Sequence, residues 1–170
     1  MKKFLIGLVL LCLMLSGCTA TQNTEATIIE DVVQFSRISV DELKAIMGEP
    51  SSVEDWKYND KTPVTTLSYD KNANHYEFIV ADNSVVRLTI YSEDYWNGTG
   101  NRFAYKGAKQ NICKAFNVEL GENAKKAADT NYAFKISPVN DKVAVFDIQD
   151  MDKETYGFVK ITYNTNYFDW

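Results

Sequence analysis

Polar and apolar positions change period along the chain. Phe4 to Met14 is an unbroken apolar run of eleven residues behind Lys2 and Lys3. That is too short to cross a hydrocarbon core, which takes about 20 residues, and it reads as the h-region of a secretory signal peptide. Thr19 to Thr27, TATQNTEAT, is polar and small with no apolar period. Such composition cannot bury enough surface to fold and predicts a tether, with ordered structure starting near Ile28 to Phe35. Val40, Leu43, Ile46 and Met47 then recur at helical spacing behind the capping-box pattern of Ser39 and Glu42. Gly48 and Pro50 stop that helix, which spans 40–47.

A period of two follows. Strands are expected at Val53–Tyr58 and Thr65–Tyr69. Tyr76, Phe78 and Val80 alternate with Glu77 and Ile79, and Val86, Leu88 and Ile90 alternate with Arg87, Thr89 and Tyr91. Asp82-Asn83 between them suits a hairpin turn. This predicts an antiparallel meander with one apolar face under the helix and polar and aromatic side chains on the outward face. The second half has the same order: a helix near 109–117, with Ile112, Cys113 and Phe116 inward, then strands at Tyr132–Ser137, Lys142–Ile148 and Gly157–Tyr163. Leu43-Lys44-Ala45-Ile46 parallels Cys113-Lys114-Ala115-Phe116, and Val86 to Ile90 parallels Val159 to Tyr163, at offsets of 70 and 73 residues. The expected fold class is therefore α+β, with short helices on an antiparallel sheet in two tandem repeats, about 38–92 and 108–170.

Leu15-Ser16-Gly17-Cys18 resembles the lipobox of bacterial lipoproteins. The resemblance implies acylation of Cys18 and cleavage before it. The expected organisation is a signal peptide over 1–17, a tether over 18–31 and an α+β domain over 32–170. Two acyl chains hold a protein stably on a membrane, so the localisation implied is lipid-anchored on the extracytoplasmic side. Cleavage removes Lys2 and Lys3, leaving 16 basic and 23 acidic side chains on the body. An acidic body is repelled by an acidic membrane, and its charge argues against nucleic acid as a partner. With Cys12 lost and Cys18 acylated, Cys113 is the one remaining thiol and is expected in the core.

ISVDELKAIMGEPSSVEDWKY, residues 38–58, resembles the opening of the repeat in β-lactamase-inhibitor-like lipoproteins. There a short helix, a Gly-x-Pro stop and an aromatic-bearing strand lead into a small antiparallel sheet; a related arrangement occurs in small lipoproteins of outer-membrane assembly. The second half departs from the pattern, since Gly121-Glu122-Asn123 has no Pro. Members of the family share no single activity, so the resemblance implies a fold and not a function.

Chemistry is sparse. His75 is the only histidine and reads as a strand residue, which excludes a multi-His metal site and leaves a nucleophilic triad unsupported. Asp150, Asp152 and Glu154 alternate like ligands of a calcium loop. Tyr156 stands where such a loop needs Gly, and Lys153 adds a cation, so a solvated hairpin turn is the reading preferred. Gly98 and Gly100 lack the rest of a nucleotide fingerprint, and no cofactor is expected. Aromatic residues are the informative excess, crowding Tyr91 to Tyr105 and Tyr163 to Trp170. Tyr and Trp are enriched at interface hot spots. The expectation is a protein- or peptide-binding module without enzymatic activity, touching its partner through Tyr69, Tyr76, Tyr91, Trp96 and Tyr105. The alternatives are an envelope hydrolase using paired carboxylates and a structural component of envelope assembly.

Overall fold

A computed structural model describes residues 28–168. The expected signal peptide, Cys18, the expected tether up to residue 27, Asp169 and Trp170 lie outside the described residues. Nine strands form one antiparallel sheet: β1 (Ser52–Tyr58), β2 (Thr62–Lys71), β3 (Asn74–Ala81), β4 (Ser84–Tyr91), β5 (Phe103–Ala104), β6 (Lys126–Asp129), β7 (Ala133–Ile136), β8 (Val145–Met151) and β9 (Thr155–Thr162). Their order is β1-β2-β3-β4-β9-β8-β7-β6, with β5 pairing to β9 off this path. The helices are short: α1 (Val40–Met47), α2 (Glu93–Asn97) and α3 (Ile112–Ala115).

The expected α+β tandem repeat is thereby corrected. The molecule is mostly a single open antiparallel sheet over one continuous core, not two helix-plus-meander units. Residues 109–117 supply only a 3-10 turn and the one-turn α3. The likeness of Val86–Ile90 to Val159–Tyr163 has a local cause. β4 and β9 are direct neighbours at the sheet centre, with Leu88 opposite Ile161 and Ile90 opposite Val159. Both strands need apolar residues beneath and polar ones above.

α1 forms where its sequence places it. Ser39 Oγ accepts from the Glu42 amide, and the Glu42 carboxylate accepts from the Ser39 amide. At Gly48, φ is +85°, a conformation that favours glycine. Leu43 is fully buried, and Val40 and Met47 pack beside it on the inner sheet face. That face carries Leu67, Tyr69, Tyr76, Phe78, Leu88, Ile90, Phe146, Ile148, Val159 and Ile161 in one cluster. Phe78 meets Phe35 and Tyr69 edge to face, at 5.0 and 5.6 Å. Cys113 is buried there, and burial pushes its thiol up to about 12.

The start of ordered structure falls within the stretch the sequence marks for it, while one strand boundary and one additional strand differ from expectation for physical reasons. Residues 29–32, where ordered structure is expected to begin, are docked: the Ile29 amide donates to Ala115 O at 2.7 Å, and the buried Glu30 carboxylate takes Lys71 Nζ at 3.2 Å and Tyr76 OH at 3.3 Å. β8 starts at Val145 rather than Lys142, because Asn140 Oδ1 accepts from the amides of Lys142 and Val143 and holds them in a turn. β6 has no β-branched or aromatic residue, and its pairing with β7 is irregular.

Candidate aromatic and charged face of the sheet

The face away from α1 is built from the alternate residues of the same strands. The register aligns Ser68, Glu77, Thr89, Lys160, Asp147 and Lys135 in one row across β2, β3, β4, β9, β8 and β7. Its charges alternate in sign from Glu77 to Lys135, and most of these side chains are half-buried. Desolvation pushes the Asp147 carboxyl above its ordinary range, against the Gln149 hydrogen bond and the charges of Lys135, Lys160 and Arg87. Desolvation also pushes Lys160 down, helped by Arg87. The half-buried Asp147 carboxylate, whose affinity for protons rises, is thus set among cations, not beside a second acid.

The row runs between two aromatic patches. On one side the row Asp70, His75, Tyr91, Phe158 and Gln149 lies beneath α2. The sequence fixes α2 with a Ser92 hydroxyl that accepts from the Tyr95 amide and with Gly98 in the left-handed region. The loop beyond is clamped by Arg102, which donates through Nη1 to Asp150 Oδ2 at 2.7 Å, through Nη2 to Asp150 O, and through Nε to Thr155 Oγ1. α2 thereby lays Trp96 flat on His75, centroids 3.6 Å apart and rings 2° from parallel. Tyr95 stacks on Tyr91 at 5.7 Å and touches Phe158 at 4.9 Å. Gly157 permits that approach, since a Cβ there would lie 2.6 Å from the Tyr95 ring. His75 Nδ1 meets Asp70 Oδ1 at 2.8 Å, and its Nε2 is buried without a hydrogen-bond partner, 4.0 Å from Glu77 Oε1. Tyr91 OH donates to Glu77 Oε2 at 2.7 Å; burial first, then Glu77, pushes its phenol well up.

On the other side, the C-terminal segment folds over Arg87. The Phe168 ring lies 3.4 Å from the guanidinium carbon, and Arg87 Nε donates to Thr162 Oγ1 at 3.3 Å. Phe168 meets Tyr58 edge to face at 5.0 Å and packs with Val64, Ala81 and Val86. Tyr167 OH donates to Asp82 Oδ2 at 2.9 Å.

The five candidate contact residues do not share a surface. Tyr91 and Trp96 come together on the outer face, 5.4 Å apart. Tyr69 and Tyr76, 3% and 0% exposed, belong to the core. They stand in phase with Leu67 and Phe78, which fixes them under the helix, so the expectation of partner contact there is corrected. Tyr105 packs half-buried against the core and donates from its OH to Asp152 O at 3.0 Å. The acidic segment is a capped turn. Asp152 accepts from the amides of Glu154 and Thr155 and from Thr155 Oγ1; these bonds, the Glu154 amide foremost, hold its carboxyl down at about 2. Asp150 is held by Arg102, so neither carboxylate converges on a common point with Glu154. No group of three metal-ligating side chains occurs among the described residues.

Tyr95, Phe158, Lys160 and Asp147 are not among the contact residues the sequence points to, and His75 is expected there only as a strand residue. The signal for Tyr95 was present in Ser92 and Gly98, which bracket a short helix. The row through Lys160 needed the pairing of β4 with β9, about 70 residues apart, which local pattern does not show.

No family model matches the chain, and no curated protein matches it. Among solved structures it is similar to an extracellular protein containing a SCP domain from Bacillus anthracis str. Ames, with 14% identity and a TM-score of 0.44. The match covers 84% of this chain and 47% of that one, so the chain spans about half the length of that protein.

Proposed function

We propose that this chain is a membrane-anchored, extracytoplasmic lipoprotein that binds a protein or peptide through the outer face of its sheet. One observation carries the binding reading: Tyr95 and Trp96 are 44% and 47% exposed yet locked in place by stacking on Tyr91 and His75. Rigid aromatic side chains that stay half in water supply contact area at low entropic cost. Beside them lies a row of alternating, half-desolvated charge, which gives a partner register as well as area. The anchor rests on the order of charge, apolar run, small residues and Cys18 at the N-terminus.

Crosslinking in the native envelope followed by affinity capture tests the reading. The wild-type chain is expected to recover a specific partner, and the Tyr95→Ala/Trp96→Ala chain to lose most of it at equal expression. Equal recovery by both chains contradicts the assignment to this face. Metabolic labelling with a fatty acid tests the anchor: incorporation that disappears in Cys18→Ala is expected, and none in the native protein contradicts it.

A further inference from the structure

We propose that the outer edge of β1 pairs antiparallel with the same edge of a second copy of this chain, on a two-fold axis through Trp56. The two ends of the sheet differ. β6 is four residues long and irregularly registered, which blunts it as an edge. β1 is seven residues long, regular along its whole pairing with β2, free of Pro, and exposed throughout except for half-buried Tyr58. Its unpaired side presents a row of backbone donors and acceptors, ready for strand addition.

Charge selects the occupant and, together with strand overlap, the register, since an axis at Val53 would oppose only residues 52–54 of the strand. A two-fold axis normal to the sheet keeps each face on its own side, so a residue can face only itself or one an even number of positions away. An axis at Glu54, Asp55 or Lys57 sets like charges directly opposite each other, which is destabilising. An axis at Trp56 instead sets Asp55 opposite Lys57 of the second copy, twice, on the α1 side of the sheet. On the other side Trp56 meets its own copy, and Glu54 stands opposite Tyr58 rather than opposite a second carboxylate. The side chains are prepared for this. Trp56 Nε1 donates to Thr66 Oγ1 at 2.8 Å, which fixes an indole still 37% exposed. Asp55 receives Thr65 Oγ1 through Oδ1 at 2.6 Å, leaving Oδ2 for the incoming lysine. The self-complementary order Asp55-Trp56-Lys57 argues for a copy of the same chain over a foreign strand.

Cysteine crosslinking of the full chain in its native membrane tests this. Opposed Cα atoms across antiparallel strands, about 4.5–5.5 Å apart, lie within disulfide reach. Trp56→Cys is expected to give a dimer on mild oxidation, several-fold more than Asp55→Cys, Lys57→Cys or the remote exposed Tyr132→Cys. In the Trp56→Cys background, Asp55→Lys is expected to suppress the product and Asp55→Lys/Lys57→Asp to restore it. The double exchange guards against misfolding, since it carries the same disruptive change. Crosslinking at 56 no greater than at 132, failure of the double exchange to restore it, or a product with a different protein would each overturn the proposal.

Discussion

The two faces of this sheet are made by the same strands and have opposite fates. The inner face gathers aromatic and aliphatic side chains under α1, α3 and the turn at Val32–Phe35, and its core closes completely around Phe78, Leu88, Phe146 and Ile161. The outer face puts Glu77, Thr89, Lys160, Asp147 and Arg87 at the sheet centre, where α2 and the C-terminal segment cover only its flanks. A row of half-buried charge contributes less to stability than apolar residues of similar volume would. Burial opposes ionisation of Asp147, Lys160 and Arg87 alike. The contrast teaches that the inner face answers to folding, whereas the outer face keeps chemistry that folding does not require.

Substitutions break or sharpen that contrast. Phe78→Ala, at the centre of the inner face, is expected to lose about 3–5 kcal/mol in urea unfolding, because it removes a fully buried ring and leaves a cavity. On the outer face, Arg87→Ala is expected to cost about 2 kcal/mol by the same measurement, from the lost contact with Phe168 and the stem's packing. A larger cost for Arg87 than for Phe78 would erase the distinction between the faces. Ser39→Ala removes the cap of α1, the lid of the inner face, and should lower stability by about 1 kcal/mol.

The smallest effects are two opposed slopes with pH. Asp147 holds its proton more tightly folded than unfolded, so it costs stability as pH rises above the ordinary value of 3.8. Asp147→Asn should therefore be slightly more stable than the wild type at pH 6 and equal to it in acid. Asp152 has the reverse sign. Its folded pKa of about 2 means that its contribution is full above 3.8 and lost as pH falls towards 2. Asp152→Asn should be less stable than the wild type at pH 6, the difference closing on acidification. Chemical unfolding at pH 6, 4 and 2 reads both.

Much of the inner face was legible along the chain. α1 announced itself through Ser39, Glu42 and Gly48, and the turn between β3 and β4 through Asp82-Asn83, both of which adopt positive φ. The alternation of Tyr76, Phe78 and Val80 already placed Tyr76 inward, so composition misled where phase did not. The outer face was less legible because its geometry is non-local. Joining Lys160 to Thr89 requires β9 beside β4, and laying Trp96 on His75 requires a loop clamped by Arg102 to Asp150. Each of these contacts depends on residues far apart in sequence that no period connects.

The claim that the outer face is the working surface is tested most directly by photo-crosslinking from single positions in the living cell. A photoreactive residue at 96 or 77, on the outer face, is expected to capture a partner, and one at 41, on exposed α1, is expected to capture none. Capture from 41 at the level of 96, or from neither face, would contradict the account.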